Sequence, residues 1–439
     1  MRLLAGEPGA REIREQLRSL RSAGRALRAR PTHALYGPLG ELLDAFGAER
    51  SAARDALAAA LAANSGFSGA VLREGLRRGF SAWTAASLRE LVELELRTGA
   101  QAATAAPPGR RTARELLGFE TTATFLAGSI PMPTLLEVVA PLALRSPVLI
   151  KTSAGDRISA HRIAEVLAGI DRELGECVRV ADFAGEDAAC TQAACGAACV
   201  IATGSDESVA ALRARVGSSQ RFLAHGHRLS LEVLGAAALA PRELAGWAER
   251  IALDTSLWDQ LGCLSPIAVY VVGADLAASA RLASALARAF ADAEALLPRG
   301  AVPASALARA SFELAEAEMR AAGGSPVEVF RGSGASFAVV READAALRPT
   351  PLYRFLRVHP VADADELLRA LAPLGPQLAC AGVAGFGEAD AALAARLLAL
   401  GASRVCRPGE LQSPPLSWPR DGRPVLRSLA REVSSELRD

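Results

Sequence analysis

The stretch Trp258-Asp259-Gln260-Leu261-Gly262-Cys263-Leu264-Ser265-Pro266 places a thiol among small and polar residues, directly before the apolar run 267–272. This pattern predicts a turn that enters a β-strand and presents the sulfur at the strand end. Gly262 would let the backbone come close to a bound carbonyl group. A free Cys is usually a small buried hydrophobe, but this setting favours Cys263 as a nucleophile.

The apolar run 267–272 begins a region in which strands and long helices alternate. Helices are predicted near 275–296 and 303–320, and further strands near 336–340, 354–359, 377–382 and 403–406. Parallel strands joined by helices form an α/β layer structure. Cys263 would therefore lie where this α/β lobe begins.

A similar alternation precedes Cys263 and starts at Thr121. Strands are predicted near 121–127, 147–151, 177–182 and 197–202, and helices near 133–144, 156–174, 187–194 and 206–215. Right-handed crossovers would make this a second parallel sheet with helices on both faces. The fold class is therefore α/β, with two lobes and a cleft between them that Cys263 faces.

The segment before these lobes has a different character. Residues 10–98 are rich in Ala, Leu, Arg and Glu, with Leu88, Leu91, Val92 and Glu95 at helical spacing. Residues 99–111 contain Pro and Gly and are typical of a linker. We expect a helical N-terminal region.

Composition excludes several functional classes. The chain has 439 residues, 51% of them hydrophobic, which suggests two or three domains. A net charge of +1 provides no basic field for nucleic acid or anionic lipid. The sequence has no run of about 18 uncharged apolar residues, which a membrane span would need. Charged residues occur within the first seven positions, so no apolar stretch long enough for an export signal is predicted there. We expect a cytoplasmic protein whose partner is a small molecule.

The cysteines do not suggest a disulfide framework. Their number, seven, is odd, and no C-x-x-C pair occurs. Cys190, Cys195 and Cys199 lie among Ala residues and are interpreted as small apolar fillers.

Two features of the first lobe suggest a cofactor site. Lys151 is the only Lys in the chain, and it ends the strand 147–151 at the edge where α/β sheets bind ligands. An ammonium group there suits ribose hydroxyls or a phosphate. The segment around Thr203, Gly204 and Ser205 predicts a strand, a Gly turn and a capped helix start, whose N–H groups could hold a pyrophosphate.

The chain resembles the aldehyde dehydrogenase superfamily in the order of three elements. These are a Lys at a strand end, a Thr-Gly-Ser segment at a helix start and a downstream Cys. The stretch 258–266 is similar to the signature of LuxC-type acyl-CoA reductases, and the segments 224–230 and 409–418 agree. The resemblance covers roughly residues 115–430. It implies an aldehyde dehydrogenase-like fold.

The resemblance also implies residue roles. Cys263 would take the acyl group from a CoA thioester, Lys151 would hold the adenosine ribose or its 2′-phosphate, and Gly204 and Ser205 would face the pyrophosphate, with Thr203 also at the cofactor. Ser129 stands where many relatives carry an Asn of the oxyanion hole, so the backbone N–H of Cys263 would take a larger share of that role.

The water-activating Glu of hydrolytic relatives is missing from the corresponding stretch 223–227. A reductase must protect its acyl-enzyme from water, so this absence agrees with reduction. Glu232 is the nearby carboxylate that could contradict this interpretation.

The resemblance further implies which nicotinamide cofactor binds. The segment Thr152-Ser153-Ala154 lacks the carboxylate that holds a free 2′-hydroxyl in many relatives, so a 2′-phosphate is tolerated. We predict NADPH, with NADH as the alternative, and place Ser153 at the cofactor.

Four further residues are predicted to line the substrate site: Trp258, Gln260, His225 and His227. The two His residues have no Asp, Glu or Cys at ligand spacing nearby, so no metal site is predicted. Trp418 and the pair Pro414-Pro415 suggest a lid or an oligomer contact.

The predicted domains are a helical region over 1–110 packing on the cofactor lobe, an NADP-binding domain over 111–235, a catalytic domain over 236–410, and a C-terminal segment over 411–439 with lid or oligomer contacts. We expect an oxidoreductase acting on the aldehyde or oxo group, which reduces a long-chain acyl-CoA or other acyl thioester to the aldehyde. A homo-oligomer and an acyl-transferring partner protein are also expected.

Two alternatives stay open. One is an aldehyde dehydrogenase running toward acid or acyl-CoA, and the other is a non-catalytic partner that binds an acyl chain. An intact Lys151 and Thr-Gly-Ser segment argue against the second.

Overall fold

The computed structural model describes residues 8–96 and 113–435, which form two compact units. The first unit consists of the described residues of Met1–Ser65, Gly79–His227 and Pro415–Asp439, and the second of Gly66–Arg78 and Arg228–Pro414. The predicted linker over 99–111 lies outside the described residues.

The first five helices confirm the predicted helical N-terminal region. They are α1 (Ala10–Ala29), α2 (His33–Gly47), α3 (Ala52–Ala62), α4 (Gly69–Phe80) and α5 (Ala85–Leu96). In α1, Ile13, Leu17 and Leu20 recur at helical spacing and are buried in one apolar cluster with Ala123 and Leu149. This helix therefore belongs to the core of the first unit.

The first unit contains a five-stranded sheet and a two-stranded sheet. Its strands are β1 (Ala113–Gly118), β2 (Thr122–Phe125), β3 (Val148–Lys151), β4 (Val178–Ala181), β5 (Cys199–Thr203), β6 (Arg221–His225) and, near the end of the chain, β14 (Ala430–Ser435). Its connecting helices are α6 (Met132–Ala143), α7 (Ser159–Ile170), α8 (Arg172–Glu176), α9 (Ala188–Ala194) and α10 (Asp206–Arg213).

The five-stranded sheet is entirely parallel and has the order β4-β3-β2-β5-β6. Its strands are apolar because both faces are covered; Val148, Leu149 and Ile150 have no exposed surface. The chain runs from β2 to β3 and β4 on one side, and then crosses over to β5 and β6 on the other side of β2. The carboxyl ends of these strands therefore flank the point where ligands bind to such sheets. β1 and β14 pair antiparallel.

The second unit is built on a seven-stranded sheet. Its strands are β7 (Leu229–Gly235), β8 (Pro266–Val272), β9 (Glu328–Arg331), β10 (Ala338–Arg341), β11 (Phe355–Val361), β12 (Leu378–Ala384) and β13 (Arg404–Cys406). Its helices are α11 (Pro241–Ser256), α12 (Leu276–Leu296), α13 (Ala304–Ala322), α14 (Ala364–Leu371) and α15 (Asp390–Leu400). The order is β13-β12-β7-β8-β11-β10-β9, and only the pairing of β9 with β10 is antiparallel.

Helices cover both faces of this sheet. Leu282 and Leu286 of α12 are buried in the apolar cluster on one face, and Leu367 of α14 and Leu393 of α15 in the cluster on the other. The predicted α/β fold with parallel sheets is therefore confirmed. None of the helices in the described residues is long and apolar enough to cross a membrane.

The boundary between the units differs from the predicted domain boundary at 235/236. The structure places it between His227 and Arg228, because β7 pairs with β8 and β12 of the seven-stranded sheet. The segment Gly66–Arg78 also belongs to the second unit, although the prediction assigned it to the helical region. Neither assignment could be read from local periodicity, since strand pairing is a long-range contact.

Candidate active site

Cys263 lies in the turn that enters β8, as its sequence context predicts. The turn is closed by the backbone N–H of Ser265, which donates to the carbonyl of Gly262 at 2.9 Å. Cys263 is the one exposed cysteine of the seven. A nucleophile must reach its substrate, and this thiol has the accessibility that the chemistry requires.

Three of the other cysteines lie in surroundings that disfavour a thiolate. Burial raises the pKa of Cys177 and of Cys195 to about 11 and that of Cys199 to about 12. Cys190 is also buried. Cys177, Cys195 and Cys199 therefore stay protonated at neutral pH. The burial of Cys190, Cys195 and Cys199 agrees with their interpretation as small apolar fillers.

Three consecutive residues before Cys263 have left-handed backbone conformation. The φ angles of Trp258, Asp259 and Gln260 are 57°, 48° and 64°. This region costs a residue with a side chain about 1–2 kcal/mol. Surrounding contacts must therefore hold the turn in place.

Trp258 and Gln260 supply part of that support. The Trp258 side chain is fully buried; its ring lies 5.7 Å from that of Phe67 and leaves no room for a side chain at Gly75. The Gln260 amide donates to the carbonyls of Pro266 at 2.8 Å and Phe355 at 2.9 Å, and accepts from the N–H of Phe355.

Trp258 and Gln260 were predicted to line the substrate site, and that role stays a prediction. Trp258 has no exposed surface and Gln260 only 1%. Both amide hydrogens and the oxygen of Gln260 are already used within the protein. Their role in this structure is to hold the turn.

The other side of the turn is held by residues far away in sequence. The Ser230 hydroxyl donates to the carbonyl of Cys263 at 2.7 Å. The Gln412 amide donates to the Ser265 hydroxyl at 3.2 Å and to the carbonyl of Asp254 at 3.1 Å. The Asp254 carboxylate in turn accepts from the N–H of Gly409 at 2.5 Å. Part of the segment 409–418 thus supports the nucleophile turn.

Glu232, the carboxylate that could have activated water, is not placed to do so. It lies within β7 with no exposed surface, beside Asp254, and a side chain on Gly382 would collide with it. Burial and the neighbouring Asp254 carboxyl raise its pKa well above the ordinary value. A carboxyl group with no exposed surface does not reach a water at an acyl-enzyme and is not placed as a general base for hydrolysis.

This burial has a consequence for stability. A carboxyl group whose pKa is raised by folding stabilises the protein fully below the ordinary pKa of 4.5, and that contribution is lost as pH rises toward the raised pKa. Between the ordinary and the raised pKa, the free energy of unfolding of the wild type should fall by up to about 1.4 kcal/mol for each pH unit. We expect Glu232→Gln not to show this fall, because Gln does not ionise. The difference in melting temperature between variant and wild type should grow in favour of the variant as pH rises above 4.5. A constant difference would contradict the assignment.

The carboxyl edge of the five-stranded sheet holds the predicted cofactor residues. Lys151 ends β3 next to Ala181 of β4, and its ammonium group lies 5.6 Å from the centre of the Phe183 ring. Asp182, which follows β4, accepts hydrogen bonds from the Thr152 hydroxyl at 2.5 Å and from His161 at 2.7 Å. Burial alone would raise the pKa of Asp182, but these two hydrogen bonds lower it.

Thr203, Gly204 and Ser205 form the predicted strand end, Gly turn and helix start. Gly204 has a φ of 153°, which a residue with a side chain rarely adopts. The Ser205 hydroxyl caps α10 by accepting from the N–H of Ser208 at 3.2 Å. The hydroxyl oxygen of Thr203 is buried and has no hydrogen-bond partner within the described residues. An unsatisfied polar atom at this edge suits a bound polar ligand.

Ser129 and Ser153 lie in neighbouring loops of the same edge. Ser129 is half-buried. The Ser153 hydroxyl donates to the carbonyl of Gly128 and accepts from the N–H of Asp156 at 3.0 Å, and the residue is only 6% exposed. Its hydroxyl is thus engaged in joining the two loops, and the placement of Ser153 at the cofactor stays a prediction.

The two predicted substrate-lining histidines have different surroundings. His225 ends β6, and its ring contacts the Asp421 carboxylate at 2.5 Å. Burial, with the nearby Arg420, lowers its pKa to about 4. It lines a cavity of about 40 Å³, which has room for a few water molecules and is too small for an acyl chain. His227 is exposed and directs its backbone N–H to Asp206.

The predicted site residues thus form two groups. Lys151, Ser129 and the segment 203–205 share one sheet edge in the first unit, whereas Cys263 and the residues holding its turn lie in the second unit. Within the ranges that the structure covers, three or more His, Cys, Asp or Glu side chains do not gather in a way that could hold a metal ion.

The family model described as acyl-CoA reductase (LuxC) matches residues 54–432. The chain belongs to this family. The match spans both units and includes Lys151, the segment 203–205 and Cys263. The resemblance that the sequence suggested is therefore confirmed for the chain as a LuxC-family member.

A curated relative of this LuxC-family chain is a long-chain acyl-protein thioester reductase from Aliivibrio fischeri. It is 26% identical over 247 residues, which are 55% of this chain and 49% of the relative. The matched region thus spans about half the length of that relative.

Solved structures show the same fold. An NADP-dependent glyceraldehyde-3-phosphate dehydrogenase from Bacillus halodurans, complexed with NADP, superimposes with a TM-score of 0.72 at 14% identity, covering 98% of this chain and 91% of that one. An NAD-dependent benzaldehyde dehydrogenase from Corynebacterium glutamicum gives a TM-score of 0.73 at 13% identity, covering 99% and 90%. The LuxC-family chain thus has the aldehyde dehydrogenase-like fold that the sequence predicts.

Sequence reasoning missed the residues that hold the Cys263 turn. Ser230, Asp254 and Gln412 contact it directly or through one another, yet each is a polar residue among many in the sequence. The sequence could have indicated a role for Ser230, because it lies in an apolar strand where a buried hydroxyl needs a hydrogen-bond partner. No local signal marks the other two.

Proposed function

We propose that the protein reduces a long-chain acyl thioester to the aldehyde with NADPH, through an acyl group held on Cys263. Membership in the acyl-CoA reductase family supports the reaction class. The observation that carries the proposal is the exposure of Cys263 on a turn held by buried contacts, while the other six cysteines are buried or half-buried.

In the first half reaction, the Cys263 thiolate attacks the carbonyl carbon of the acyl thioester. The carbonyl oxygen becomes an oxyanion, for which the backbone N–H of Cys263 and the Ser129 hydroxyl are the proposed donors. The carbon–sulfur bond to the donor thiol then breaks, and that thiol leaves and takes up a proton. One thioester replaces another, so the step is nearly balanced in free energy.

In the second half reaction, the acyl-cysteine is reduced. When bound, the nicotinamide supplies the hydride for the thioester carbon. The resulting hemithioacetal at Cys263 collapses by breaking its carbon–sulfur bond, and Cys263 leaves as a thiolate that is ready for the next acyl group. The products are the aldehyde and the oxidised cofactor.

The residues at the carboxyl edge of the first sheet fit a nicotinamide dinucleotide. Lys151 provides a cation, Gly204 a backbone without a side chain, and Thr203 a buried hydroxyl without a partner in the described part of the chain. Lys151 would contact the adenosine ribose or its 2′-phosphate, and Gly204 and Ser205 the pyrophosphate.

The preference for NADPH is part of the proposal. Asp182 directly follows the neighbouring strand β4, and each of its two oxygens accepts one hydrogen bond, from Thr152 and His161. The segment 152–154 after Lys151 lacks the carboxylate that holds a free 2′-hydroxyl in many relatives, which supports acceptance of a 2′-phosphate.

The burial of Glu232 counts against the alternative of a hydrolytic aldehyde dehydrogenase, since that reaction needs an accessible base beside the acyl-enzyme. The exposed thiol counts against a non-catalytic acyl-binding partner. The acyl donor, whether CoA or a partner protein, the homo-oligomer and the cytoplasmic location stay predictions.

The test is incubation with palmitoyl-CoA and either NADPH or NADH, following cofactor oxidation and aldehyde formation together. We expect one aldehyde for each cofactor oxidised, with a higher kcat/KM for NADPH. An enzyme that turned over no acyl thioester while oxidising aldehydes freely would contradict the proposal.

A further inference from the structure

A second left-handed segment lies beside the one that precedes Cys263. Leu352, Tyr353 and Arg354 have φ angles of 66°, 55° and 69°. They lead directly into β11, which is the parallel neighbour of β8. Two runs of three non-glycine residues in left-handed conformation thus enter adjacent strands of one sheet, and the first of them carries the nucleophile turn.

The two segments are bound to each other by buried polar groups. Arg354 donates from Nε at 3.1 Å and from Nη2 at 2.7 Å to one oxygen of the Asp259 carboxylate. The other oxygen of Asp259 accepts from the N–H of Gly300 at 3.0 Å. Arg354 is 1% exposed and Asp259 2%. The pair is therefore shielded from water, and losing one partner leaves the other charge unpaired.

Two further contacts hold the guanidinium group. Its Nη1 donates to the Glu294 carboxylate at 2.7 Å, and its Nη2 to the carbonyl of Ser256 at 3.3 Å. Ser256 lies two residues before the left-handed segment 258–260. Arg354 therefore contacts the chain just before that segment and Asp259 at its middle, and Gln260 at its end contacts Phe355.

We propose that Arg354, through Asp259, is a positioning residue that holds the turn in the conformation that presents Cys263 for acyl transfer. Left-handed backbone relaxes when its contacts are lost, because the residues involved have no intrinsic preference for it. Relaxation would move the sulfur and the backbone N–H of Cys263 together. This inference rests on the proposed function, in which Cys263 carries the acyl group.

The same strand region offers a matched control. Arg357 is also fully buried, contacts two carboxylates, those of Glu313 and Glu342, and donates to the carbonyl of Pro349 at 2.9 Å. None of these partners belongs to the Cys263 turn. Arg357→Met and Arg354→Met therefore remove equally buried charges with similar partners, and differ in whether the turn loses its support.

The test compares these variants by two readouts on protein that remains folded. The first is the pH dependence of Cys263 alkylation by iodoacetamide, followed by peptide mass spectrometry, and the second is kcat and KM with palmitoyl-CoA and NADPH. We expect Arg354→Met to move the alkylation midpoint upward and to lower kcat by about 100-fold, with KM for the thioester changed less than about threefold. Arg357→Met should lose similar thermal stability but keep the midpoint and kcat.

Equal midpoints and kcat values in the two variants would overturn the inference. Should Arg354→Met not fold, Asp259→Asn and Arg354→Lys make the same comparison, since Asn keeps the shape without the charge and Lys keeps the charge without the two-point contact. The alkylation readout needs no turnover. The two proposals can therefore fail separately. Full activity in Cys263→Ala would contradict the proposed function, whereas the alkylation readout tests the positioning role of Arg354.

Discussion

Replacing Cys263 by Ala should abolish aldehyde formation from acyl thioesters, with a loss of at least about 1000-fold in kcat. The sulfur forms the bond to the acyl group, and no other exposed thiol is present to replace it. Removing a nucleophile usually lowers kcat about as much as removing all the catalytic residues together, because the other residues cannot act without it. The measurement is aldehyde and oxidised cofactor formed from palmitoyl-CoA, together with radiolabel retained on the protein from labelled substrate.

The matched control for this variant is Cys195→Ala. It makes the same chemical change at a buried thiol whose pKa burial raises to about 11. We expect it to lose some stability through a small cavity, by about 1 kcal/mol, and to keep its activity and its acyl label. Full turnover in Cys263→Ala, or label retained elsewhere, would assign the acyl group to another residue.

Replacing Lys151 by Met should raise KM for NADPH about 10- to 100-fold, because a hydrogen bond to a charged group contributes about 1.5–3 kcal/mol. Met keeps most of the length of the side chain and removes the charge. If the ammonium group contacts the 2′-phosphate, KM for NADH should change less than KM for NADPH. Initial rates at saturating acyl-CoA, with each cofactor varied in turn, measure both.

A charge of the same sign elsewhere in the first unit provides the comparison for Lys151. The Arg172 side chain is 90% exposed and pairs only loosely, at 3.5 Å, with Glu176. Arg172→Met should leave both KM values unchanged, since exposed pairs of this kind contribute little. A rise in KM for NADPH of equal size in the two variants would mean that general electrostatic attraction, and not contact at the sheet edge, explains the effect.

Several features of this site could be predicted because their signals are local. The apolar runs 147–151 and 267–272 have the length and composition of buried strands, so the positions of Lys151 and Cys263 at strand ends followed directly. A Gly beside Ser and acidic residues marked the start of α10. The burial of Trp258 and the hydrogen bonds of Ser153 and Gln260 could not be predicted, because proximity in sequence to a functional residue does not show where a side chain points.

What the sequence alone determined was the alternation of strands and helices, the family signature and the one cysteine set among small polar residues. Those properties depend on neighbouring residues and on the periodicity of burial. Only the tertiary structure decided that Glu232 is enclosed beside Asp254, and that Arg354 joins Asp259 across 95 residues of chain. Burial and ion pairing arise when distant segments come together and exclude water, and no local pattern records which partner a charged residue will meet.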